Sequence, residues 1–132
     1  MLKEVRKNIF VGDFEVTAEQ LKKAGITVVL IAADATDKEK MPVVDIDVIV
    51  FEISLHRETV NRPHVKDIAC HIPKYMSQSG EKTAVLSPRG LIRAPWIVAR
   101  AVCELEQKTI YELLMELQEL LGKKFEVGKA YL

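Results

Sequence analysis

Residues 82–100, KTAVLSPRGLIRAPWIVAR, decide how this chain is read. Thr83, Ala84, Val85 and Leu86 form a short apolar run, the pattern of a buried strand. A turn from Ser87 to Arg93 follows, and a helix is predicted from Pro95, whose missing N–H costs nothing at a first helical position. A strand that passes abruptly into a helix leaves the first helical amides unpaired at the turn. With the positive end of the helix dipole, those amides suit an anion. Gly90 lets the backbone curl without a Cβ penalty, and Arg93 offers a planar fork that matches two phosphate oxygens. Spacing alone leaves a plain reading equally open, in which the arginine pairs with a surface carboxylate.

Working outward, Asn8 to Gly12 (NIFVG) reads as a short apolar strand. Thr17 and Gln20 have the spacing of a capping box, with Val16 and Leu21 placed as a hydrophobic staple, and Gly25 ends the helix that follows. Ile26 to Ala33 (ITVVLIAA) is continuously apolar and β-branched, so a strand buried on both faces is predicted. Asp34 to Pro42 is loop-like, and Val43 to Ser54 holds one or two further strands. His64 to Gln78 has helical spacing, and Pro73 within it is expected to kink or split the helix. Ile97, Val98, Ala101, Val102 and Leu105 face inward from the helix after the turn, and Thr109 with Glu112 suggests a second capping box. Trp96 reads either as core or as a pocket wall. His64 and His71, seven residues apart, read as surface side chains rather than a metal site.

The length of 132 residues suits a single domain spanning 1–132. Nineteen basic and nineteen acidic residues cancel, so no global field favours nucleic acid or an anionic membrane surface. No apolar run approaches the roughly 18 residues of a membrane span, and no leader is read. Cys70 and Cys103 show no paired spacing, which fits a reducing compartment, the cytoplasm and also the nucleus. No metal or cofactor is expected.

The turn resembles that of the dual-specificity, cysteine-dependent protein phosphatases, whose strand ends in His-Cys-x-x-Gly-x-x-Arg-Ser before a helix. Gly90 and Arg93 match that pattern. Ser87 stands at the cysteine, Leu86 at the histidine and Ala94 at the final serine. NIFVGDFEVTAEQLKKAGITVVLIAA is similar to the opening of that family, and FEVGKAYL to its close. The resemblance implies a three-layer α/β fold, with a central mixed sheet of four or five strands and helices on both faces.

It also implies a phosphate-binding loop made by Ser87, Arg89, Gly90, Leu91, Ile92 and Arg93. The family attacks phosphorus with a thiolate whose pKa the loop lowers, and protonates the leaving oxygen with an upstream aspartate. Ser87 cannot supply a thiolate. The aspartate's place falls on Leu55 or His56, which leaves His56 a weak candidate acid. An asparagine usual near the end of the earlier strand is replaced by Ile31. Pro88 removes one amide from the cradle, at a cost of about 1.5–3 kcal/mol toward a charged oxygen.

Such departures at five positions favour a natural pseudophosphatase, similar to the serine/threonine/tyrosine-interacting proteins. Its expected partner is a phosphorylated or acidic protein, a mitogen-activated kinase or a phosphatase substrate among the candidates. Two alternatives stay open: an active enzyme trapped by a cysteine-to-serine change at position 87, and an interaction domain without a phosphate site.

Overall fold

The computed structural model describes residues 1–33, 49–54, 63–88 and 93–122. The elements run β1 (Leu2–Arg6), β2 (Ile9–Gly12), α1 (Ala18–Lys23), β3 (Val28–Ala33), β4 (Ile49–Ser54), α2 (Pro63–Gln78), β5 (Thr83–Leu86), α3 (Arg93–Glu106) and α4 (Ile110–Leu121). The expected loop Asp34–Pro42, the start of the VVDIDV run and the FEVGKAYL close lie outside the described residues.

The strands form one five-stranded sheet in the order β1-β2-β5-β3-β4. β5 pairs in parallel with both β2 and β3, so Val85 lies opposite Val11 on one side and Leu30 on the other. β3 and β4 are also parallel, and β1 alone is antiparallel, to β2. Parallel strands need covered faces, which explains why β3 and β5 read as unbroken apolar runs.

Alternate side chains divide the core in two. Ile9, Val11, Leu30, Ala32 and Val85 pack against Trp96, Ile97, Val98 and Ala101 of α3 and against Leu113, Leu114 and Leu117 of α4. Phe10, Val29, Ile31, Ala84 and Leu86 face the other way, onto Phe14, Val16 and Leu21. The result is a mixed sheet with helices on both faces. The heavier layer lies on the α3 side, and the short α1 covers the other. Leu113, Leu114 and Leu117 are each at most 1% exposed, and burying such a side chain stabilises the fold by about 1.5–3 kcal/mol.

Local signals explain most boundaries. Gln20 N–H donates to Thr17 Oγ1, and Thr17 N–H donates back to Gln20 Oε1, so the capping box closes in full. Gly25 then turns the chain at φ 77°, a left-handed conformation that glycine takes without strain. At α4, Glu112 N–H donates to Thr109 Oγ1 at 3.1 Å, which is the N-cap half of the second predicted box.

Four expectations are revised. β1 adds a strand that the apolar pattern did not signal: only Val5 is buried in LKEVR, as befits an edge with a register shift between Glu4 and Arg6. α2 runs unbroken through Pro73, which is buried and does not split the helix. α3 begins at Arg93, two residues before Pro95. Leu105, placed on the inward face by spacing, is 55% exposed.

Candidate functional site

The C-terminal ends of β2, β3 and β5 emerge side by side at one edge of the sheet. Parallel sheets build ligand sites at such an edge. Ser87 is the first residue beyond β5. Its N–H donates to the Gly12 carbonyl at 3.2 Å, which prolongs the β2–β5 ladder by one rung. Phe14 N–H donates to the Pro88 carbonyl at 3.5 Å, so the segment after β2 braces the start of the loop.

Gly12 is required where these backbones converge. A Cβ there would stand 2.7 Å from Leu86 Cδ2 and 2.9 Å from the Met1 carbonyl oxygen. Neither approach leaves room for a side chain.

Ser87 is 2% exposed, and Ala94, in the first turn of α3, is fully buried. Ala94 N–H donates to Ser87 Oγ at 3.2 Å across the turn. The hydroxyl therefore lies at the N-terminal end of α3, where the dipole favours negative charge. The first turn of α3 carries no acidic residue of its own to neutralise that end. Arg93 Nη1 donates to the Ala32 carbonyl at 3.4 Å. That contact holds the guanidinium across the end of β3 and keeps it on the same edge as Ser87.

The Ala94 amide and the N-terminal end of the α3 dipole both favour negative charge at the Ser87 oxygen. A serine hydroxyl has no access to its alkoxide without a base. Among the described residues, no histidine or carboxylate makes a hydrogen bond to Ser87. Cys70 lies away from this edge on α2, and burial pushes its thiol up, away from the reactive thiolate. Trp96 is 1% exposed and packs within the α3 core cluster.

Ser87 and Arg93 are thus brought to one edge. Arg89, Gly90, Leu91, Ile92 and His56 lie outside the described residues. Gly12, the Ala32 carbonyl and the Ala94 amide complete the edge and were not singled out from sequence. Backbone groups leave no residue signature, and only a glycine closing an apolar strand hinted at the first.

A surface cleft of about 530 Å³ lies elsewhere, lined by Arg6, Glu106, Lys108, Glu116, Glu119 and Leu120. Its charges largely satisfy each other. Arg6 donates to both oxygens of Glu106 at 2.8 and 3.1 Å and to Glu116 at 2.8 Å, and Lys108 donates to Glu116 at 2.6 Å. The Glu106 hydrogen bond raises the Arg6 pKa, and the Lys108 hydrogen bond lowers that of Glu116. This network ties β1 to the end of α3 and the middle of α4.

Sheet order, helix placement and the strand–turn–helix edge together are the fold of the dual-specificity phosphatases. The human tyrosine phosphatase-like serine/threonine/tyrosine-interacting protein superposes with TM-score 0.78 at 15% identity, covering 98% of this chain and 89% of that one. Human DUSP28 gives TM-score 0.79 at 14% identity, covering 98% and 86%. PTPMT1 in complex with PI(5)P gives 0.81 at 9% identity, covering 98% and 88%. No protein-family model matches the sequence, and no curated protein matches it. The likeness is one of fold.

Proposed function

We propose that this chain is a catalytically silent phosphatase-fold domain that recognises a phosphorylated or acidic protein partner, as a scaffold or as a competitor of active phosphatases. The observation that carries the reading is the buried Ser87 hydroxyl. It accepts the Ala94 amide where the family holds its attacking sulfur, with Arg93 on the same edge. In this reading Arg93 grips the phosphate, the loop amides from Arg89 to Ile92 shape the cradle, and no group displaces the phosphoryl oxygen. Mitogen-activated kinases and phosphatase substrates are the partner classes to try first.

One observation favours a second reading, an interaction domain without a phosphate seat. Pro88 and Pro95 lack N–H groups, and Ala94 N–H is already committed to Ser87. Fewer donors then remain for a ligand.

Two measurements separate the readings. A phosphopeptide that binds where its unphosphorylated form does not supports the seat, and equal binding of the two supports the second reading. Rapid turnover of para-nitrophenyl phosphate by Ser87→Cys would instead reveal an enzyme lacking one atom and overturn both.

A further inference from the structure

The Ser87 side chain keeps a hydrogen-bonding capacity that the fold does not use. A hydroxyl carries one O–H donor and two acceptor lone pairs. Ser87 Oγ accepts the Ala94 N–H at 3.2 Å. Among the described residues, no carbonyl, carboxylate or imidazole accepts its hydrogen in turn. At 2% exposure the side chain is shielded from bulk water, where an unmade donor is costly. An oxygen of a ligand seated on this edge would complete it.

The charges around the hydroxyl decide which oxygen suits it. The N-terminal end of α3 lies against Oγ, with no acidic residue in its first turn. Arg93, in the same turn, is held at the Ala32 carbonyl. Asp13, the first carboxylate past β2, is engaged elsewhere: it accepts the Met1 amino group and Glu15 N–H, each at 3.0 Å. Ser87 itself stays uncharged, because no base among the described residues touches it. A thiolate at position 87 would cancel part of this positive field, and a hydroxyl leaves it whole. Such a field holds two negative charges better than one.

We propose that the Ser87 hydroxyl is a ligand contact: it donates to a phosphate oxygen and makes the seat selective for the dianion of a phosphomonoester over a singly charged oxyanion such as a sulfate ester. This role rests on the reading of the edge as a phosphate seat, and adds Ser87 to Arg93 and the loop amides. An O–H whose oxygen already accepts a hydrogen bond is polarised into a better donor. The Ala94 amide, committed to Ser87, thus acts on the ligand through it. A phosphomonoester loses its second proton near pH ~6. Binding therefore strengthens as pH rises through that value and then levels, since nothing at position 87 titrates.

The test is calorimetric titration of one peptide in three forms, phosphorylated, sulfated and unmodified, into the native chain at about pH 7.5. The phosphorylated form should bind about tenfold or more tighter than the sulfated one. Ser87→Ala should narrow that gap by weakening the phosphorylated form about tenfold. Ser87→Cys gives a readout that partial unfolding cannot imitate. With a non-hydrolysable phosphonate peptide, its affinity should fall as the thiol ionises between about pH 6 and 8, while that of the native chain holds or rises. Equal native affinity for the phosphorylated and sulfated peptides, or unchanged selectivity in Ser87→Ala, would overturn the role of Ser87 and leave the phosphate seat standing. Equal binding of all three peptides would remove the seat, and this role with it.

Discussion

Replacing Ser87 by cysteine puts a thiol into a field shaped for an anion, and the size of its response follows from the geometry. An unperturbed cysteine titrates near about 8.5. In the native chain Ala94 N–H reaches the γ-atom of position 87 at 3.2 Å. A hydrogen bond to a charged group contributes about 1.5–3 kcal/mol, which lowers a pKa by about one to two units at ~1.36 kcal/mol per unit. The N-terminal end of α3 adds roughly 0.3–2 kcal/mol in the same direction. Burial at 2% exposure opposes both. The net expectation is a thiol pKa of about 6–7.5, within the range of cysteines at helix N-termini. Iodoacetamide alkylation followed against pH measures it, with mass spectrometry separating the introduced thiol from Cys70 and Cys103. A midpoint at or above about 8.5 would refute the claim that this turn stabilises negative charge.

Ser87→Ala orphans the buried Ala94 amide and should cost about 1–3 kcal/mol in urea unfolding. Thr83 is fully buried, and its hydroxyl has no hydrogen-bond partner among the described residues. Thr83→Val should therefore stabilise the chain by up to about 1 kcal/mol, read as a melting temperature raised by a few degrees. The Glu116 carboxyl is held below its ordinary value of 4.5, chiefly by the Lys108 hydrogen bond. Its contribution to stability is complete above the unfolded-state value and is lost as pH falls through the folded-state value. Glu116→Gln should accordingly flatten the acid limb of stability between about pH 5 and 3.

The parts of the fold that were legible in the sequence are those where a side chain announces its environment. The apolar runs of β3 and β5, the Thr17–Gln20 box and Gly25 all lie where their chemistry requires them. β1 escaped notice because an edge strand with one buried residue has no apolar run to show. Pro73 misled because helix propensity prices the lost hydrogen bond and not the burial of the ring. Leu105 misled because spacing gives a face of a helix without saying where the packed layer stops. That Ser87 and Arg93 share the sheet edge was legible from their places at the two ends of one turn. Their partners, the carbonyls of Gly12 and Ala32 and the amide of Ala94, are backbone groups that only the assembled sheet edge brings together.

Arg93 stands over the β3 edge, and the proposed function makes it the cation that meets a tetrahedral anion. Calorimetric titration of one phosphopeptide against the native chain and against Arg93→Ala tests this directly. Saturable binding that weakens about tenfold or more in the variant is predicted, since a charge-assisted pair is lost. Equal affinity of the two proteins for the phosphopeptide would contradict it.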